Sequence, residues 1–329
     1  MSMTADQIVD RRRMRRRLTF WRFVGLAALV VAIGGVAFAL LGRDAFPGLS
    51  EPQIARITIS GFIAEDRDQT EMIKRIAEDA NVKGVVVAID STGGSTTGGE
   101  ALYQSLRALS EAKPTVATVG TFGASAAYMA AIATDHIVAR RTSITGSIGV
   151  IYQYPEVSGL LDKIGVKVED IKSGPLKAEP NPFEPATEEA RAVILGLVRD
   201  TFNWFVDIVA ERRDLPRQAA LALADGRIYT GQQALGAKLV DEIGGEDAAI
   251  AWLGTKGVDV KLPVKTWKPK NEDSGIFSYA DAAAMWIAYQ LGISPALVPA
   301  DAIDRIVPAS LKLDGLLSVW QGPTRGDAT

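Results

Sequence analysis

Cysteine is absent from this 329-residue chain, and histidine occurs once, at His136. No disulfide can staple the fold, although that absence neither demands nor excludes an oxidising compartment. Any Ser-His-Asp system would have to be built on the one imidazole. Positive charge is outnumbered by negative outside the first residues. The formal net charge is −3, yet residues 1–22 hold seven arginines against Asp6 and Asp10, so the remainder carries −8. A mildly acidic body argues against a nucleic-acid binder. Charge is missing altogether from Phe23 to Gly42, "FVGLAALVVAIGGVAFALLG", twenty residues and enough to cross a bilayer as a helix. No internal repeat is present. What remains, 47% hydrophobic and 23% charged with 31 glycines, can bury one sizeable core or two modest ones.

The uncharged run follows Phe20, Trp21 and "RRRMRRR" (Arg11 to Arg17). The positive-inside bias then keeps residues 1–22 cytoplasmic, makes residues 23–42 the anchor, and puts everything after about residue 43 across the membrane. A cleaved signal peptide is the other reading, with "AFA" (Ala37 to Ala39) as the small-x-small site. The apolar run is longer than a usual signal core, which favours an uncleaved anchor.

Residues 43–53 read as a Pro/Gly-punctuated linker. Strand and helix patterns then alternate: strands at 54–60, 82–90 and 114–120, and helices at 70–80 and 99–112. Further strand-like runs fall at 136–141, 147–153 and 166–172. This alternation predicts an α/β core with helices on largely parallel sheets. "SGPLKAEPNPFEP" (173–185) carries four prolines and must be a stiff irregular loop. A long amphipathic helix over 186–213 and a compact strand-helix-strand region over 225–245 follow. Residues 268–329 form a tail whose apolar stretch, 282–293, is too short to span a membrane and suits a groove or a subunit contact.

Two stretches could carry chemistry. "STGGSTTGGE" (91–100) lies between a buried strand and a helix, where glycine lets backbone N–H groups approach a ligand. It matches neither phosphate-cradle pattern. An oxyanion hole needs only one well-aimed N–H, from Gly93 or Gly94; a plain strand-to-helix turn is the simpler alternative. One βα unit downstream, "GAS" (123–125) places Ser125 at the start of a helix, so that the N–H of Ala126 would face an oxyanion formed on attack. The bland alternative is a helix N-cap in a close-packed core.

A nucleophilic serine needs a base. His136 would lie past the same helix, roughly 15 Å along its axis from Ser125, and opens a strand, which makes it a bystander. Carboxylates are poor bases toward a hydroxyl. A lysine could serve if it were neutral, and hence largely desolvated. Lys167 and Lys172 belong to an alternating run and read as solvated, whereas Lys177 sits in the proline-braced loop. A surface role is the commoner one for any lysine, and spacing alone does not choose.

"IDSTGGS", "TFGASAAYMAA", "TSITGSIGVI", "IKSGPLKAEPNPFEP" and "DGRIYTGQQALGAKLVDEIGG", taken in order, resemble the bacterial signal peptide peptidase type of peptidase family S49. These are membrane-anchored Ser/Lys proteases on the Clp protease/crotonase fold, and the likeness covers about residues 54–255. It implies a peptidase domain over 54–267 with Ser125 as nucleophile, Lys177 as general base and Ser147 as the hydroxyl that orients the amine. Gly94 and Ala126 would supply the oxyanion-hole N–H groups. No cofactor or metal is implied. Apolar peptides, such as signal peptides left in the membrane after preprotein processing, would be the substrates. The likeness further implies a homo-oligomer in the bacterial inner membrane with its catalytic domain on the periplasmic side. Thr92 stands where the family usually has proline before the paired glycines, and alanines follow Ser125 where glycine is common. The Clp-type histidine, about twenty-five residues after the serine, corresponds to Val150, so a His triad fails. A crotonase-like acyl-CoA enzyme and a catalytically silent membrane scaffold are the rival readings; neither would need Ser125 and Lys177 together.

Overall fold

Three apolar runs become the central strands. A computed structural model describes residues 20–28, 51–269 and the backbone of 317–319. β1 (Gln53–Ile63), β2 (Val82–Ser95) and β3 (Thr115–Ala124) lie side by side and parallel. They alternate with α1 (Arg67–Glu78) and α2 (Thr96–Ala112). Period two sorts their side chains onto two faces. Ala55, Ile57, Ile59, Val85, Val87 and Ile89 enter the main core, while Ile54, Val86 and Val116 pack on the other face with Leu253. Burial on both faces explains why these strands read as continuous apolar runs.

The outer edge of β3 is divided. Its Val116–Val119 segment pairs with β4 (His136–Ala139), and Phe122–Ala124 pairs with β5 (Ile144–Gly146), both parallel. Ser143 fills the fork: its Oγ lies 2.6 Å from Gly120 O and 3.0 Å from Val119 O. The strand order is β6-β5-β3-β2-β1-β8, with β6 at Ile228–Thr230 and β8 at Val264–Thr266. β7 (Glu242–Ile243) pairs parallel with β4. A short β9 (Leu317–Val319) lies antiparallel on Gly93–Ser95 of β2. The fold is therefore mixed α/β with a mostly parallel sheet flanked by helices, as expected for a Clp protease/crotonase-like chain.

Between β3 and β4 runs α3 (Ala126–Ile132), every residue of which is buried. Gly99 of α2 lets it come close, because a Cβ there would meet Ala126 Cβ at 3.0 Å and Met129 Sδ at 2.8 Å. The guanidinium of Arg212 takes Ile132 O at 2.9 Å and Thr134 O at 3.0 Å, and Arg107 takes Ala133 O at 3.1 Å, so two cations hold the C-terminal carbonyls of α3. Tyr128, fully buried, donates its hydroxyl to Leu239 O at 2.8 Å, and desolvation pushes its pKa well up. Tyr128→Phe would orphan that carbonyl. The expected cost is about 1–2 kcal/mol, read as a lower urea midpoint with an unchanged denaturant slope.

After β5 come α4 (Ser158–Ile164), α5 (Glu188–Arg212), α6 (Arg217–Leu223), α7 (Gly231–Gly236) and α8 (Glu246–Thr255). Two expectations are corrected. Residues 147–153 and 166–172 are not strands: the strand lies earlier, at Ile144–Gly146, and 166–172 is irregular. Alternating apolar residues alone do not make a strand without a neighbour to pair with. Here Ile151, Val166, Val168 and Ile171 are exposed.

Residues 1–52 separate as a second unit. Residues 20–28 are helical, with Phe20, Trp21 and Phe23 exposed. Residues 29–42 of the expected anchor, most of the arginine-rich segment and the apolar stretch 282–293 lie outside the described residues. Among the described residues no helix is long and apolar enough to cross a membrane.

Candidate active site

Ser125 occupies the step from β3 into α3 with φ 60° and ψ −122°. A side chain there is strained, by about 1–3 kcal/mol in general. The strain persists because the surroundings fix it. Ser125 N–H donates to Gly146 O at 2.8 Å, and its carbonyl accepts from Tyr128 and Met129 of α3. The hydroxyl makes no capping bond to the helix. Ser95, by contrast, is an ordinary cap of α2, accepting Gly98 N–H at 3.1 Å from an extended backbone. Ser125 is 1% exposed, so the strain presents a nearly buried hydroxyl that the helix does not use as a cap.

The neighbouring strands bring other expected residues to the same end of the sheet. In register, Ala124 faces Gly146 and Gly123 faces Ser91. Ser147 follows Gly146 directly, at φ 50° and 8% exposed, its N–H bonded to Arg227 O at 2.8 Å. Gly93 and Gly94 lie just past Ser91 on β2. Gly93, Gly94, Ser125, Ala126 and Ser147 therefore sit together at the carboxyl ends of three adjacent strands, where ligands of open α/β sheets bind. The glycine-rich segment is not a plain strand-to-helix turn. β2 continues to Ser95, and Ile63 and Phe62 of β1 pair with Gly94 and Gly93. A Cβ on Gly94 would stand 1.9 Å from Ile63 O; glycine is there for close backbone approach. The N–H of Gly93 donates to Ser91 Oγ at 3.1 Å.

His136 is at the other end. It starts β4 opposite Val116, nine residues before Ser125 along β3, roughly 30 Å at the rise of a strand. This exceeds the spacing expected along the helix, because α3 and its following turn return the chain to the start of the sheet. The imidazole stacks on Trp252, with centroids 4.8 Å apart, and its Nε2 lies 3.3 Å from Glu242 Oε2.

Lys177 is in the irregular loop, exposed, with Ala178 beside it at φ 62°. Among the described residues, no hydrogen bond joins Lys177 to Ser125 or Ser147. Lys172 is not the solvated lysine expected. Its Nζ lies 3.1 Å from Asp170 Oδ2 and 3.1 Å from Glu184 Oε1, and closer still to Glu179 Oε1. Hydrogen bonds to Glu179, then Glu184 and Asp170, hold its ammonium well above the ordinary lysine range. An amine kept charged by three carboxylates cannot serve as a base. No signal in the sequence marked this cluster, because its members are not periodic. No grouping of acidic and histidine side chains suited to a metal occurs among the described residues.

A strained, buried serine at a strand-to-helix elbow, flanked by glycine backbone and a second serine, is the layout of a covalent-nucleophile site. Comparison with known proteins gives this class its family. The model of peptidase family S49 matches residues 107–261, a span containing Ser125, Ser147 and Lys177. The candidate protease slr0021 of Synechocystis is 36% identical over 211 residues, 64% of this chain and 76% of that protein. The candidate signal peptide peptidase SppA of Enterococcus faecium is 35% identical over 216 residues, 61% of this chain and 63% of that protein. Serine protease SPPA of Arabidopsis thaliana chloroplasts is 33% identical over 196 residues, 58% of this chain but 28% of that protein. The chain belongs to peptidase family S49, in its SppA type, and spans between about a quarter and three quarters of these relatives' length.

Proposed function

We propose that the chain is a membrane-anchored serine endopeptidase that cleaves apolar peptides through a Ser125–Lys177 dyad. The observation that carries the reading is the strained backbone of Ser125 and its nearly buried hydroxyl at the head of α3. The uncharged Lys177 amine takes the proton of Ser125 Oγ as that oxygen attacks the scissile carbonyl carbon. The oxyanion is held by the N–H groups of Gly94 and Ala126; with Gly93 bonded to Ser91, Gly94 is the better placed glycine. The lysine ammonium then gives its proton to the leaving amine, and the amine activates water to release the acyl group. Ser147 orients the amine between these steps.

Peptides are the fitting substrates because the edge at Gly93–Ser95 pairs with an extended segment. Residues 317–319 already lie there as an antiparallel strand, the geometry of strand addition. Signal peptides remaining in the membrane match this need for extended apolar chains near an anchor. The assembly is a homo-oligomer on this reading, in a bacterial inner membrane with the body on the periplasmic side. Its support is physical. A lysine base must be withdrawn from water to be uncharged, yet Lys177 is exposed in the single chain, and exposed Leu160, Ile164 and Val168 lie along the same stretch. A second subunit would cover both.

The test is cleavage of an apolar fluorogenic peptide by the full chain in detergent, beside its Ser125→Ala and Lys177→Ala variants. Activity surviving in both variants rejects the dyad, and absence of cleavage by the wild-type chain favours a crotonase-like or silent protein. Gly94→Ala probes the oxyanion hole. Its methyl has no room beside Ile63 O, so β1 and β2 must part. We expect kcat to fall about 100- to 1,000-fold and stability by about 1–3 kcal/mol, measured by steady-state kinetics and urea unfolding.

A further inference from the structure

We propose that Lys172 is a positioning residue for the general base, clamping through Glu179, Asn181 and Glu184 the loop that presents Lys177. The inference rests on the reading of Lys177 as base.

Residues 172–184 belong to no strand or helix. Their backbone is tied internally by two turns around Lys177, with Lys177 N–H to Gly174 O at 3.1 Å and Glu179 N–H to Leu176 O at 3.3 Å. The rest of the closure comes from side chains. An ammonium has three protons, and Lys172 has three carboxylate partners: Asp170 before the loop, Glu179 two residues past Lys177, and Glu184 at the far side. The amide of Asn181 has two protons on Nδ2, and both are used, to Glu179 Oε1 and Glu184 Oε1 at 2.9 Å each. Its Oδ1 accepts Phe183 N–H at 2.8 Å, and Pro182 O accepts Val157 N–H at 2.8 Å. Glu179 and Asn181 are nearly buried, at 6% of the side chain and 8% of the residue.

Two ionised carboxylates that share donors this closely repel each other unless a cation lies between them. Without Lys172 the repulsion of Glu179 and Glu184 opens the base of the loop, and Lys177 moves with it. The cluster lines an exposed cleft of about 280 Å³, away from the core, so its loss leaves the folded sheet intact. A proton acceptor displaced by about 1 Å can slow catalysis by up to two orders of magnitude.

The full chain in detergent is assayed as wild type, Lys172→Met, Lys172→Arg, Lys177→Met and the double methionine variant. We expect Lys172→Met to lower kcat about 10- to 100-fold with KM within about twofold. The rate of Ser125 labelling by a fluorophosphonate should fall by the same factor, and the melting temperature should stay put. Lys172→Arg should restore most of kcat, since a guanidinium can bridge two carboxylates. In the double variant, Lys172→Met should add no loss to that of Lys177→Met. An unchanged kcat in Lys172→Met overturns the proposal, and so does a full additional loss in the double variant or a kcat that falls only as the fraction of folded protein falls. If Lys177→Met itself keeps the wild-type rate, the base assignment fails and takes the clamp with it. If Lys177→Met is inactive while Lys172→Met is normal, the clamp alone fails.

Discussion

With Ser125 as the proposed nucleophile, Ser125→Ala should lower peptide cleavage by about 10,000-fold or more and abolish fluorophosphonate labelling, whereas Ser125→Gly should be equally inactive but more stable than Ser125→Ala. The activity half follows from chemistry, since neither variant can form an acyl-enzyme. The stability half follows from backbone geometry. At φ 60° and ψ −122° any side chain carries strain, and glycine alone adopts the conformation freely. Alanine keeps the Cβ and the strain; glycine releases about 1–3 kcal/mol and gives back up to about 1 kcal/mol through its more flexible unfolded chain. A urea midpoint for Ser125→Gly at or below that of Ser125→Ala would mean that the elbow is relaxed. Retention of even a few per cent of wild-type cleavage by Ser125→Ala would remove the serine from the mechanism.

Strain of this kind also marks the boundary of what the sequence reveals. The apolar runs of β1, β2 and β3 were legible because a strand buried on both faces leaves a continuous hydrophobic record, as Val85, Val86 and Val87 do. Ser125 was legible as a candidate because small residues allow a sharp strand-to-helix step, and the family likeness favoured it over a plain N-cap. The close backbone packing of "STGGS" was not legible. Its glycines answer to Ile63, thirty-one residues before Gly94, and sequence carries no trace of such an approach. The runs at 147–153 and 166–172 alternate as strands do, but Val166, Val168 and Ile171 are exposed, and a strand needs a partner at the right distance as well as a pattern. Lys172 was misjudged for a related reason. Its three carboxylates are gathered by a loop with no period, so the lysine looked like a solvated member of a strand. The place of His136 depended on α3 running back beside β3. That doubling back is a tertiary fact, and it moves the imidazole to the far end of the sheet.

Lys177→Met should be as damaging as loss of the serine in peptide cleavage, about 10,000-fold in kcat, while leaving Ser125 in place and its elbow folded. The exposed position of Lys177 in one chain adds a sharper test. If the amine reaches Ser125 across a subunit contact, Ser125→Ala and Lys177→Met chains complement one another. A site built from the serine of one subunit and the lysine of the next is intact in about a quarter of positions after random mixing of equal amounts. Co-refolded mixtures should then recover about that fraction of the wild-type rate, although each variant alone is inactive. Mixtures that stay inactive would place both members of the dyad within one chain, with the loop of Lys177 folding onto its own serine.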